Sequence, residues 1–309
     1  MTPDLVVIGN LLVDDIVLLD GRTYLGLAGG AALYLSLAAR LWGCEVGVAS
    51  VAGSDYPAAM LEALAERGVR LDGVRRPGRP GVRTWLLYEG RVRRVVHRLG
   101  SPSHDEVSPG PADIPDAWLD ARAFHLSPMP LECQRALVRS LAARRGALLS
   151  LDPHEPVRED TLARWRPVLD GVDVFFVSED ELQLEGAERA PREALRRLGG
   201  GRLRMIAYKR GADGGLLYDV LADTFHEWAA SRDAVVEPTG SGDAFAGGFL
   251  AGMLAALPVR AALDHAVISA SLALGAVGAA GLLAATREEV VRRRDAVRGG
   301  AGSGTMAPT

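Results

Sequence analysis

Apolar residues in this chain arrive in short, nearly unbroken runs, separated by longer segments in which they recur with helical spacing. The runs are Leu5 to Gly9 (LVVIG), Glu45 to Val51, Ala123 to Ser127, Ala147 to Asp152, Val172 to Ser178 and Leu203 to Tyr208. Between them, Ala31 to Trp42, Pro57 to Arg67, Leu131 to Arg145 and Arg192 to Leu198 read as helices. A strand covered by helices on both faces has no solvent side, so it loses alternation and becomes apolar throughout. Alternating elements of these two kinds predict a three-layer α/β fold around a central, mostly parallel sheet.

Two regions break the rhythm. Ile16 to Leu27, and more clearly Val82 to Leu99 (VRTWLLYEGRVRRVVHRL), read as short antiparallel strands, the second region turning at Glu89-Gly90. They predict a small β lid over a cleft, built from residues 11–27 and 82–99, which would exclude water from a reacting centre. After Pro238 the chain turns helical, over Ser241 to Ala255, from Arg260 to the neighbourhood of Gly281, and over Arg287 to Arg298. One domain is expected over residues 1–298, with a disordered tail at 299–309.

Composition narrows the partners. A net charge of −4 gives no long-range attraction to nucleic acid or an anionic membrane, so any anion site is local. Cys44 and Cys133 are too few for a disulfide framework and lack zinc-site spacing. The N-terminus has no basic region before its apolar run, so a cytoplasmic protein is expected. Ala266 to Ala285 is uncharged but built largely of Ala, Gly and Ser, which favours a packed helix over a membrane span. His97, His104, His125, His154 and His226 show no metal-ligand spacing. Lys209 is the single lysine of the chain; every other basic residue is arginine.

Candidate chemistry concentrates in EPTGSGDAF, Glu237 to Phe245. Gly240 and Gly242 permit close backbone approach, Thr239 or Ser241 can cap the helix that follows, and free N–H groups at its start attract an anion. An acid in that first turn, Asp243, either complements the helix dipole or serves as a general base beside a phosphoryl group held by the same turn. No GK[ST] follows, so this is not a P-loop.

The stretch Val236 to Gly252 resembles the C-terminal signature of the ribokinase or PfkB carbohydrate kinases, D-x-T-G-A-G-D-x-F with a following glycine pair, here Gly247 and Gly248. AGGAALYLSLAARLWG (Ala28 to Gly43) and VVIGNLLVDDIV (Val6 to Val17) resemble that family's N-terminal segments. The resemblance implies a ribokinase-like fold and an ATP-dependent kinase acting on a hydroxyl of a sugar or polyol, with Mg2+. It makes Asp243 the catalytic base and Gly240, Ser241 and Gly242 the anion hole. Asp14, Gly29, Gly30 and Tyr34 fall at the acceptor. Glu181, in SEDE, falls on the family's N-x-x-E motif and would organise magnesium through water, although a plain capping box reads the same way. Lys209, Gly211 and Gly214 border the nucleotide, and the segment from His265 to Gly281 resembles the adenine pocket.

Departures from the family pattern widen the choice of substrate. Glu237 stands where an aspartate is associated with a monovalent cation, which leaves potassium dependence open. Tyr34 stands where ribokinase-like members have a sugar-binding asparagine, and its ring could stack on a base, so a nucleoside is the rival acceptor. A cyclitol also fits, and a phosphorylated sugar would need cations, for which Arg83 and Arg91 to Arg94 are available. A non-catalytic nucleotide-binding regulator would keep the glycines but have no use for Asp243. A dehydrogenase is disfavoured because no GxGxxG follows the first strand. Exposed lid edges would allow a homodimer.

Overall fold

The computed structural model describes residues 2–89, 92–144 and 146–301. In chain order the strands are β1 (Leu5–Ile8), β2 (Leu12–Val17), β3 (Thr23–Gly29), β4 (Val46–Val51), β5 (Arg70–Arg75), β6 (Arg83–Glu89), β7 (Val92–His97), β8 (Ala123–Leu126), β9 (Leu148–Leu151), β10 (Val157–Arg158), β11 (Val174–Ser178), β12 (Leu182–Gln183), β13 (Met205–Lys209), β14 (Gly215–Asp219) and β15 (Thr224–Trp228). The helices are α1 (Ala31–Leu41), α2 (Ala58–Glu66), α3 (His104–Val107), α4 (Leu131–Leu141), α5 (Leu162–Leu169), α6 (Pro191–Leu198), α7 (Ser241–Leu254), α8 (Val259–Leu274), α9 (Ala280–Ala284) and α10 (Arg287–Ala301).

Nine strands form the main sheet in the order β15-β14-β13-β11-β9-β8-β1-β4-β5. Every pairing from β5 to β13 is parallel, and β14 and β15 close one edge as an antiparallel hairpin. Its parallel strands are apolar on both faces because each face has its own core. One core includes Leu33, Leu37, Phe245, Phe249 and Leu263 from α1, α7 and α8; the other includes Leu137, Trp165 and Leu195 from α4, α5 and α6. The chain enters at β1, moves outward to β4 and β5, and then returns to β8 on the other side. Such a reversal opens a crevice at the carboxyl ends of the strands, where open α/β sheets bind ligands.

The lid is a second sheet of four strands, β3-β2-β6-β7, inserted after β1 and after β5. Its two hairpins join through a parallel pairing of β2 with β6, which sets Asp14 against Thr84 and Asp15 against Trp85. Asp15 points into the lid, wholly buried, and receives bonds of 2.8 and 2.6 Å from Arg83 and 2.7 Å from the Gly26 amide. Those partners outweigh burial and hold its carboxyl below the usual range.

The C-terminal elements depart in part from the sequence pattern. The helix expected from Arg260 to near Gly281 is two helices, α8 and α9, and α10 runs to Ala301, three residues past the expected end. Gly90, one half of the expected hairpin turn, and residues 302–309 of the expected tail lie outside the described residues. Among the described residues no helix is long and apolar enough to cross a membrane.

Candidate active site

The start of α7 faces the crevice with its first-turn amides uncommitted. Gly240 precedes it in the left-handed region, φ 75°, and no side chain caps the helix. Neither expected cap is used for that purpose. The Ser241 hydroxyl donates to the Pro238 carbonyl at 2.9 Å, and the Thr239 hydroxyl meets that of Tyr88 at 2.7 Å. The first N–H groups of a helix have no intrahelical acceptor, so those of Gly242 and Asp243 remain for an anion.

Tyr34 determines why residue 240 is glycine. A Cβ there would lie 2.2 Å from the Tyr34 ring, which is buried beneath the turn. One ring face is therefore covered by Gly240, and the tyrosine supports the helix start.

Asp243 is half-buried, and among the described residues no hydrogen bond to its carboxylate is made. Burial pushes this carboxyl up to about 6, against the pull of Lys209 and Arg93 and with a further push from Glu181. Lys209 ends β13 and donates to Asp152 at the end of β9, 2.7 Å away. Its Nζ is 3.3 Å from where a Cβ of Gly242 would stand, which brings the ammonium to the same helix start. Burial works against that ammonium, but Asp152, Glu181 and Asp243 outweigh it and hold Lys209 above an ordinary lysine. Burial drives Asp152 the other way, upward, against its pairing with Lys209.

Glu181 lies in the turn between β11 and β12, its carboxylate accepting from the Ser178 amide at 2.7 Å; no helix follows, so the expected capping box is not formed. Gly211 and Gly214 form the tight turn between β13 and β14; a Cβ on Gly214 would lie 2.0 Å from the Trp228 carbonyl. His265 is placed elsewhere. Its ring stacks on Trp42 with centroids 3.5 Å apart, beside Gly252. Nine residues of helix separate Gly252 from Asp243, about 13 Å, so His265 packs α8 on α1 and α7 and does not join the cluster.

On the lid side, Asp14 is 3% exposed and accepts from Thr84 at 2.6 Å. A Cβ on Gly29 would collide with the Asp14 carboxylate at 1.9 Å, and one on Gly30, φ 97°, would collide with the Asn10 carbonyl at 2.2 Å. The glycine pair thus brings backbone and carboxylate together. Burial lifts Asp14 to about 6, with the Thr84 bond and Arg93 opposing. Arg93 sits directly across the β6–β7 register from Tyr88, and its charge acts on both Asp14 and Asp243. Glu237, fully buried, accepts from the Thr239 amide at 2.6 Å, the Gly278 amide at 3.2 Å and Tyr88 at 3.4 Å.

Two of these participants carry no signal of their own in the sequence. Thr84 and Tyr88 enter only through lid pairing. Asp152 ends a strand at the ligand-binding edge, the one signal available for it. Arg93 lay among four lid arginines of unknown facing; of the others described, Arg83 pairs with Asp15 and Arg94 with Glu89. A cavity of 570 Å³ opens between residues 229–233 and α8, with Leu263, Val267 and Ile268 along one wall and Arg260, Asp233 and Arg293 around it.

This is the fold and cleft of a phosphotransferase that uses ATP and acts on a hydroxyl. Residues 4–285 match the pfkB family carbohydrate kinases, and the chain belongs to that family. Cytidine kinase of Thermococcus kodakarensis is 34% identical over 274 residues, covering 85% of this chain and 94% of that protein. Arabidopsis thaliana ribokinase, solved with ribose and ATP, superposes with a TM-score of 0.73 at 20% identity, covering 95% of this chain and 99% of that one. Burkholderia thailandensis nucleoside kinase, solved with inosine, gives 0.72 at 18% identity, covering 96% and 98%.

Proposed function

We propose that the protein transfers the γ-phosphoryl group of ATP to a hydroxyl of a sugar, free or as the ribose of a nucleoside, with Asp243 as general base. The observation that carries this reading is the pairing, at one helix start, of uncommitted amides with a carboxylate of raised pKa. Asp14 holds the acceptor, and Asp243 takes the proton as the oxygen attacks phosphorus. The amides of Gly242 and Asp243, with Lys209 and Arg93, offset charge on the moving phosphoryl group. Positioning and electrostatics supply most of the rate in such a transfer, so a base with a pKa near 6 is adequate. The adenine of ATP is assigned to the cavity beside α8.

Magnesium fits this site as a companion of the nucleotide. Among the described residues no three His, Cys, Asp or Glu side chains are grouped to hold a metal. Mg2+ keeps several waters and is commonly held by one or two carboxylates plus substrate phosphates, a role Glu181 can take. When bound it would neutralise phosphate charge. A monovalent cation at Glu237 does not fit, since the carboxylate is surrounded by N–H and O–H donors. Equal rates in potassium and choline salts are expected.

The apolar residues Leu19, Leu25, Val95 and Leu99 are all exposed on the lid, which supports pairing of two lids in a homodimer. Sedimentation of Leu25→Glu against the parent tests it. The main reading is tested by ADP formation from Mg-ATP across pentoses, hexoses, cyclitols and nucleosides. No acceptor-dependent ADP from any of them would refute it.

A further inference from the structure

Three histidines that the phosphotransfer chemistry does not use meet beside the acceptor aspartate. His97 ends β7, His104 opens α3, and His154 follows β9 two residues after Asp152. The His104 ring centroid lies 5.1 Å from that of His97, edge-on at 86°, and 4.9 Å from that of His154 at 49°. His97 stands directly opposite Thr84 in the β6–β7 register, and Thr84 holds Asp14. Lid, connecting segment and sheet edge therefore converge on one wall of the cleft. His97 and His154 are exposed, while His104 is buried behind them.

The wall is fixed from behind. The Asn10 amide nitrogen donates to Nδ1 of His104 at 2.9 Å and to the Ser108 hydroxyl at 3.1 Å. An amide nitrogen can only donate, so Nδ1 is the accepting nitrogen and Nε2 carries the proton. The Asn10 oxygen is buried without a partner, as is the Ser127 hydroxyl at the end of β8. Buried polar atoms are nearly always satisfied, and two orphans on adjacent strand ends are groups that a bound molecule could complete.

Charge selects among ligands. Burial, then His154 and His97, push His104 down to about 4, and burial lowers His154 as well. These two rings are neutral at neutral pH and give a phosphate or carboxylate no ion pair. Arg83 and Arg98 are turned to Asp15 and Arg94 to Glu89, while Arg93 stands four positions along β7 from His97, opposite Tyr88. What the wall does offer is aromatic faces and edges to an uncharged planar ring.

We propose that His97, His104 and His154 form the binding wall for the base of a nucleoside whose ribose hydroxyl faces Asp243. This deepens the phosphotransfer reading and rests on it for the placement of the hydroxyl. Calorimetry with cytidine, adenosine and ribose, without nucleotide, measures the wall separately from turnover. Wild-type protein is expected to bind the nucleosides more tightly than ribose. His97→Ala and His154→Ala, at exposed positions, are expected to lower nucleoside affinity, and the preference in kcat/KM over ribose, about tenfold each, the lower end for loss of one base-stacking partner. His154→Phe should restore most of it. Ribose bound without nucleosides, unchanged nucleoside affinity in both alanine variants, or an equal loss for ribose would overturn the proposal. Absence of ADP formation with every acceptor would instead sink the phosphotransfer reading, while calorimetry still decides the wall.

Discussion

The body and the lid each bring one aspartate to the cleft, and the two carboxyls are held in opposite ways. Asp243, on the body, is raised to about 6 by burial while flanked by the cations Lys209 and Arg93, and no described residue bonds to it. Asp14, on the lid, is raised to the same level but is held by a 2.6 Å bond from Thr84 and enclosed by Gly29. An unbonded carboxylate among cations is free to accept a proton. A bonded one is fixed in direction and suits holding a hydroxyl. On the proposed reading chemistry belongs to the body and acceptor choice to the lid, a division that substitution can break.

The largest effect is expected at Asp243. Asp243→Asn should lower kcat by about 10²-fold or more, the scale of general-base loss, with ATP affinity retained in a nucleotide titration. Stability should move the other way. A folded pKa raised above the unfolded value gives stability that is full below about pH 4 and lost as pH rises through about 6. Melting the parent and Asp243→Asn at pH 5 and pH 8 should show the variant gaining by up to ~3 kcal/mol at the higher pH. A variant that turns over normally would reduce Asp243 to a helix-dipole residue.

Lys209 tests whether the body site is a linked unit. Lys209→Met leaves Asp152 buried and unpaired, which should cost ~3–5 kcal/mol in denaturant unfolding. Adding Asp152→Asn should recover most of that stability but not the activity, because the charge at the Gly242 amide is still missing. Recovery of both would make the pair purely structural.

How much of this was legible in the sequence follows the same division. The body could be read because parallel strands buried on both faces and the TGSGD turn are local signals, contained within one element and its boundary. Lys209 stood out as the single lysine, though its partner Asp152 lies 57 positions away in sequence and no local pattern joins them. The β14–β15 hairpin was missed because Gly215 to Trp228 carries no Asn-Gly or Asp-Gly turn between its strands. The lid was readable as strands but not as a sheet. Its central contact pairs β2 with β6 in parallel across some 70 residues, and only that register reveals which lid side chains face the cleft. Tyr34 and His265 show what motif position alone leaves out: packing decides what their rings touch, Gly240 for the one and Trp42 for the other.

A weaker lid should affect acceptor binding more than chemistry. Arg83→Ala removes the bidentate partner of buried Asp15 and loosens β2 against β6. The acceptor KM is expected to rise about tenfold, with a smaller change in kcat, as for loss of binding that ground and transition states share. Equal losses in both would place the lid in the chemical step.

The smallest and sharpest change is Thr84→Val, which keeps the shape of the lid strand and deletes one hydrogen bond to Asp14. That bond favours the ionised carboxylate, so its loss should raise the Asp14 pKa above about 6. In kcat/KM, which reports the free protein, the acid limb should then move to higher pH, while at pH 8, where the Asp14 carboxylate is still ionised, the acceptor KM rises only a few-fold. Asp243 keeps its own surroundings in this variant, so the limb in kcat should stay where it was. An acid limb that shifts in kcat as well would mean that the two carboxyls titrate as one unit, and the division between body and lid would fail at the point where their charges meet, around Arg93.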